Sequence, residues 1–423
     1  MLLFLLKGLV RDRSRSLFPT LTVIAGVALT VILYSWVKGT ETDVIRANAS
    51  FATGHVRVTT RGYAAEADPQ ANDLALRGLG ALLEELRRSS PGLVWAPRIR
   101  FGGLADVPDA AGETRAQAPI AGLAVDLLSP AGEERRTLNL DSALRKGRLP
   151  SARGEALLSD VLFDRLGLRL GDTVTLISST PWGSVATANL AVVGTVRFGV
   201  SAMDRGAMLL DLADAQAALD MEDAAAEVLG LFPDGIYRED EARALAAAFN
   251  GRAREGGELA PAMADLRSQP GLATILDLAR GITRALIAIF VGVMSIVLWN
   301  AGLMGSLRRY GEIGVRLALG EPKGHVYRSM IAESMMIGLA GSLVGTALGL
   351  AVARYLQVHG LDVSFLLKNS SMLISDVLRA RVTPTSAVIG FVPGLFATLL
   401  GTLVSGIGIY RRQTAQLAKE LEA

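Results

Sequence analysis

Four charge-free apolar runs decide what this chain can fold into: residues 17–37, 285–307, 334–353 and 385–410, of 21, 23, 20 and 26 residues. A helix needs about 20 apolar residues to cross the hydrocarbon core of a bilayer. Backbone N–H and C=O groups find no water there, so each run has to pair its own and is expected to be helical. The runs predict four transmembrane helices, with the large intervening segment forming a domain inserted between the first and second. Run one is longer than a signal-peptide core and no small-x-small cleavage site follows it, so it reads as a retained anchor. Half of the residues are apolar, which excludes a disordered chain.

Orientation follows from Lys and Arg in the short flanks. Lys7, Arg11, Arg13 and Arg15 precede run one; Arg308, Arg309, Arg316, Lys323 and Arg328 separate runs two and three; Arg411, Arg412 and Lys419 follow run four. With four spans these segments share one side, expected to be the cytoplasm, with both termini inside. The expected organisation is a cytoplasmic amphipathic segment at 1–16, spans at 17–37, 285–307, 329–353 and 385–410, and a domain on the far side at 38–284. A cytoplasmic loop at 308–328, a short far-side loop at 354–384 and a cytoplasmic tail at 411–423 complete it.

Segment 38–284 has the composition of a soluble domain and is net −6, with 33 acidic and 27 basic residues. Residues 55–60, 173–177 and 190–196 are rich in β-branched types and read as strands. Helical spacing occurs at 73–88, 159–166 and 239–250. The expected fold is therefore α+β, with room for two lobes. Helical spacing also continues through 272–286 without proline, predicting a stiff stalk running into span two rather than an absorbing linker.

Candidate catalytic chemistry is sparse. There is no cysteine, and the three histidines, His55, His325 and His359, are far apart in sequence. No G-x-S-x-G, H-E-x-x-H or G-x-x-x-x-G-K-[ST] occurs. The chain is expected to be a non-catalytic subunit that binds neither a metal nor a nucleotide itself. The near-neutral total, +2, gives no reason to expect a nucleic-acid partner.

The loop after span two is more specific. Arg309, Glu312 and Arg316 share one helical face, with Glu312 and Arg316 spaced for an i, i+4 pair. Gly320 offers a C-cap and Pro322 a stop. Asn300, Arg309, Glu312, Ile313, Gly314, Arg316, Ala318, Leu319, Gly320 and Glu333 together resemble the R-x-x-E-I-G-x-R-x-A-L-G signature of FtsX/MacB-type ABC transporter permeases. Leu317 departs from the basic residue common there. The stretches 147–176 and 191–204, with Gly154, Glu155, Gly171 and Asp172, and His55 within TGHVRV resemble the periplasmic core of that family.

The resemblance implies a permease of the mechanotransmission type in a bacterial inner membrane, with the 38–284 domain and the 354–384 loop periplasmic. A separate cytoplasmic ABC ATPase dimer would bind ATP and Mg, and would receive a coupling helix carrying Arg309, Glu312, Ile313, Arg316, Leu319, Gly320 and Glu333. A second permease subunit, identical or not, would complete the complex. Gly341, Gly345 and Gly349 show the small-xxx-small spacing of close helix packing, within the chain or against that second subunit. Three jobs compete. Lipoprotein release, as in LolC/LolE-like permeases, is favoured by the four-span form and by Thr180, Pro181, Trp182 and Gly183, which resemble a hook for a periplasmic carrier. That segment is shorter than such hooks and lacks their later proline; the alternative is a plain hairpin tip. MacB-like efflux with a periplasmic adaptor is the second job. FtsX-like activation of a cell-wall hydrolase is the third. For a lipid-bearing substrate, Trp36, Phe290 and Met294 sit at the depth expected to line a cavity, although the same positions suit packing or lipid contact.

Overall fold

The computed structural model describes residues 13–66, 70–109, 111–129, 133–198, 204–252, 257–307, 310–362 and 377–407. Two compact units emerge. One is built from parts of Met1–Glu41, Leu278–Asp362 and Val377–Ala423; the other centres on Thr42–Asp277.

The first unit carries the apolar helices. Helix α1 is Arg13–Asn48, and among the described residues four stretches are long and apolar enough to cross a membrane: Leu17–Thr53, Leu272–Gly305, Lys323–His359 and Pro384–Gly406. The helices overrun the charge-free runs because residues such as Asp277, Arg280 and Arg284 end an apolar run without ending a helix. The fourth stretch is not one regular helix. It is a 3-10 turn at Pro384–Ala387, a π-turn at Val392–Ala397 and then an α-helix at Thr398–Gly406. Pro393 has no N–H to give to the preceding turn, and a wider i→i+5 turn is a common way to absorb such an interruption.

Glycine notches hold this bundle together. Val23, Val27 and Val31 recur every four residues on α1 and are 1%, 0% and 0% exposed. Opposite them stand Gly341, Gly345 and Gly349. A Cβ at Gly341 would lie 2.6 Å from Val23 Cγ1, one at Gly345 2.9 Å from Val27 Cβ, and one at Gly349 2.8 Å from Val31 Cβ. Elsewhere Gly302 faces the Thr398 carbonyl, and Gly401 faces that of Trp299. Without a hydrophobic drive between helices in lipid, close backbone approach and van der Waals contact supply much of the association.

The second unit is built on a ten-stranded sheet. Its strands are β1 (Val56–Thr60), β2 (Val94–Pro108), β3 (Thr114–Val125), β4 (Leu144–Gly147), β5 (Glu155–Ser159), β6 (Thr173–Ser179), β7 (Val185–Val196), β8 (Ala207–Asp211), β9 (Glu227–Leu231) and β10 (Pro261–Asp265). Their order is β10-β1-β9-β2-β3-β8-β5-β7-β4, with β6 bridging β2 and β7. Strand β2 joins two halves: Val94–Arg98 pairs with β9, and Ile99–Pro108 pairs with β3. Each half has its own core. One gathers Val56, Leu86, Trp95, Val228 and Phe249; the other gathers Ile99, Leu158, Leu176, Met208 and Leu210. The two expected lobes are thus halves of one sheet.

Helix Glu239–Asn250 has the bounds its sequence pattern gives, and Ser159 caps Asp160–Arg165 by accepting from the Leu162 amide. The helix expected at 73–88 starts only at Leu79 and runs to Ser89. Gly78, at φ +67°, takes a left-handed conformation in front of it, and Leu76–Arg77 pairs as a strand with Ala224–Ala225.

Buried charge ties the start of this unit down. Arg98, fully buried, forks onto Glu134 with Nε–Oε1 2.7 Å and Nη2–Oε2 2.8 Å. Glu227, also buried, meets Arg57 at 2.7 Å and Arg100 at 2.8 Å. Arg98 and Arg100 both donate to the carbonyl of Phe51, at 3.2 and 2.8 Å. That carbonyl belongs to the π-turn Ala49–Thr53 that follows α1, so the arginines satisfy an acceptor left over where a helix ends.

Candidate functional site

The loop after the second apolar helix (Leu272–Leu307) forms a short helix, Tyr310–Ala318, followed by a turn into the helix Lys323–His359. Its C-terminus is closed by a Schellman motif. The Glu321 amide donates to the Arg316 carbonyl at 3.1 Å and the Gly320 amide to the Leu317 carbonyl at 3.1 Å. Gly320 takes φ +92°, a left-handed value that suits glycine because it has no Cβ.

This turn changes the partner of Arg316. The spacing suggested Glu312, but the guanidinium instead forks onto Glu321, with Nε–Oε2 and Nη2–Oε1 both 2.7 Å. The cap carries Glu321 back over the last turn, where a planar carboxylate can take both N–H groups at once. That hydrogen bond is the main cause that raises the Arg316 pKa and lowers that of Glu321; Glu312 and Glu333 add to the positive shift at Arg316. His325 Nε2 lies 3.6 Å from Glu321 Oε1. Glu321 was missed by periodicity because it lies beyond the helix. A glycine at the capping position, five residues after an arginine's helical neighbour Val315, is the signal that finds it.

The remaining loop residues divide. Ile313 is buried against Val326 and Met330 and fixes the short helix to the base of Lys323–His359. Leu319 is 83% exposed and Val315 48%, giving an apolar tip beside the charged fork. Glu333 lies apart from that tip. It lines a cavity of about 60 Å³ within the bundle, with Pro19, Gly302, Ser334, Thr398 and Thr402. Thr402 Oγ1 donates to Ser334 Oγ at 2.9 Å. Arg309 lies outside the described residues.

Gly341, Gly345 and Gly349 meet α1 of the same chain, as described above. Met294, 9% exposed, packs on Gly26, and so is enclosed in the bundle rather than open to a cavity. Trp36 and Phe290 are half-buried. Thr180, Pro181, Trp182 and Gly183 form the tip between β6 and β7. The Thr180 amide donates to the Ser184 carbonyl at 2.8 Å, the Gly183 amide to the Thr180 carbonyl at 3.0 Å, and Gly183 takes φ +81°. The geometry is that of a tight hairpin turn. Trp182 is 62% exposed, with the Arg77 guanidinium 5.2 Å from its ring centroid.

Comparison with known proteins agrees with this loop. Residues 284–414 match the FtsX-like permease C-terminal family. The pyoverdine export ATP-binding/permease protein PvdT of Pseudomonas aeruginosa is 33% identical over 27% of this chain and 16% of its own length. The macrolide export ATP-binding/permease protein MacB of Nitrosomonas europaea is 27% identical over 41% of this chain and 25% of its own. An uncharacterized ABC transporter permease of Methanocaldococcus jannaschii is 29% identical over 30% and 31%. The matched part thus spans less than a third of each relative. The periplasmic region of MacB from Actinobacillus actinomycetemcomitans aligns with 55% of this chain and 95% of its own, at 11% identity and a TM-score of 0.33. Residues 284–414 thus form an FtsX-like permease C-terminal domain, similar over that stretch to ABC transporter permeases.

Proposed function

We propose that this permease couples ATP hydrolysis by a cytoplasmic ABC ATPase to movements of its extramembrane domain, and that those movements drive export. The observation that carries the reading is the loop Tyr310–Glu321. A short helix is anchored by Ile313, closed by the Schellman turn, and presents Leu319 and Val315 beside a rigid Arg316–Glu321 pair. An apolar tip with a preordered charge suits a groove on a nucleotide-driven partner, because little side-chain entropy is lost on docking. The ATPase dimer, a second permease subunit, an inner-membrane location with cytoplasmic termini and a periplasmic domain are all parts of this proposal. So is the assignment of ATP and Mg to the partner.

Export ranks ahead of lipoprotein release. The relatives named above for export match up to 41% of this chain, and the 180–183 tip is a closed turn with its own backbone hydrogen bonds. Lipoprotein release keeps one supporting feature, the exposed Trp182 at that tip. FtsX-like activation of a cell-wall hydrolase has no feature of its own in its favour. Depletion of the chain in its host, followed by envelope fractionation and a panel of exported compounds, tests the ranking. New sensitivity with normal lipoprotein sorting supports export; lipoproteins retained in the inner membrane overturn it in favour of release.

A further inference from the structure

The extramembrane unit holds a second cavity, of about 280 Å³, that the coupling account does not use. His55 is one of its lining residues and is only 1% exposed. The Phe232 amide donates to His55 Nδ1 at 2.9 Å. A ring nitrogen that accepts an N–H carries no proton of its own, so in the neutral imidazole the proton is on Nε2. That Nε2–H has no hydrogen-bond partner among the described residues. A buried donor left unmade in this way costs about 1–3 kcal/mol. The ring itself is held in place, stacked on Phe232 at 5.2 Å and near-parallel to Tyr237 at 6.0 Å.

The surroundings specify the missing acceptor. Val94, Leu231 and Pro233 supply apolar wall, and Arg46, Arg136 and Glu133 line the same cavity as exposed residues. Those three charges sum to +1. Asp234, the acidic group that acts on the imidazole, is bound to Arg238 and caps the Ile236 amide. Arg46 packs over Gly235, where any Cβ would collide with its guanidinium, so the fork is seated in the cavity wall. Burial keeps the imidazole neutral, so His55 offers one directed N–H and no charge.

We infer that this cavity binds a carboxylate carried on an apolar body, one oxygen accepting from His55 Nε2–H and the group as a whole paired with the Arg46 guanidinium. A single anionic group matches one neutral donor and a net charge of +1, and the apolar walls match an aromatic or alkyl body. This site is independent of the coupling loop.

The test uses the full chain in lipid nanodiscs, labelled with ¹⁵N-histidine. With only His55, His325 and His359 present, the Nε2 resonances are few enough to follow one by one. Benzoate is titrated at constant ionic strength, with benzyl alcohol and benzylammonium as controls. The expected result is a saturable shift of the His55 Nε2–H signal with benzoate alone. Arg46→Gln is expected to weaken that binding about tenfold or more, the usual worth of a charge-assisted bond, with the His325 and His359 signals unchanged as the check on folding. Three results overturn the inference: no His55 shift with benzoate, an equal shift with benzyl alcohol, or the same affinity in R46Q.

Discussion

Arg316 and Glu321 lie five residues apart, yet their guanidinium and carboxylate meet in a two-pronged fork, 2.7 Å at each contact, because a left-handed Gly320 folds the chain back between them. The pair makes the end of the short loop helix a defined surface rather than a frayed one. Gly320→Ala puts a Cβ into the left-handed region and is expected to cost about 1 kcal/mol locally. Amide exchange at Gly320 and Glu321 should quicken several-fold in that variant, while Val326 at the base of the next helix stays protected. Equal exchange in both proteins would count against the cap.

The glycine series makes a second prediction. Gly345→Val places a branched side chain where Val27 and the Ile24 carbonyl already stand within 3 Å of a bare Cβ. Overpacking of this kind costs about 1–3 kcal/mol. The unfolding midpoint in detergent should fall accordingly, and Val27→Ala should restore part of it. Because the chain has no native cysteine, a Val23→Cys, Gly341→Cys double variant gives a clean proximity test: a cross-link should form within one chain rather than between two.

His55 carries a pH dependence. Burial, the dominant cause, draws its pKa from 6.5 to about 4; Asp234 opposes, and Arg46 and Arg238 reinforce. The folded value is the depressed one, so the unfolded chain binds more protons between about 4 and 6.5. Stability of this unit is therefore full above pH 6.5 and declines as the pH falls toward 4, by up to about 3 kcal/mol. The protection factor of the Phe232 amide in the full chain, its exchange rate divided into the intrinsic rate at each pH, should fall over that interval, and His55→Asn should flatten the dependence. A profile that is level from pH 4 to 7 would contradict it.

Arg98 and Glu134 test the buried charge. Removing one partner strands the other, so Glu134→Ala should destabilise by about 3–5 kcal/mol. The paired replacement Arg98→Met, Glu134→Leu should cost much less, because no uncompensated charge remains. Chemical denaturation of the two variants separates these outcomes, and equal losses would show that packing rather than charge is at stake.

The membrane helices were legible in the sequence because bilayer thickness imposes a length on apolar runs. The start of the second was legible as well, since helical spacing runs on through 272–286 and the helix begins at Leu272; the start of the third was not, because Lys323 and Arg328 stop a hydropathy run but belong to the helix Lys323–His359. Run four read as a single span, and the π-turn at Val392–Ala397 that carries Pro393 was not announced by its hydropathy. In the extramembrane unit, β-branched segments announced β1, β6 and β7. Strands β2 and β3 went unread because Ala, Gly and Pro dilute their alternation, and tertiary pairing overrides weak propensity. The loop helix and its glycine cap were readable from local rules. The Arg316 partner was not, because an i, i+4 rule assumes the helix continues, and here it ends.

The proposed transfer of force from an ATPase through the loop is tested by the ATP turnover of the assembled complex with Glu312→Lys in the permease. The account predicts a folded permease whose ATPase still binds more weakly or equally, but whose substrate-stimulated turnover is lost. Undiminished stimulation in that variant, with normal co-purification of the ATPase, would contradict it.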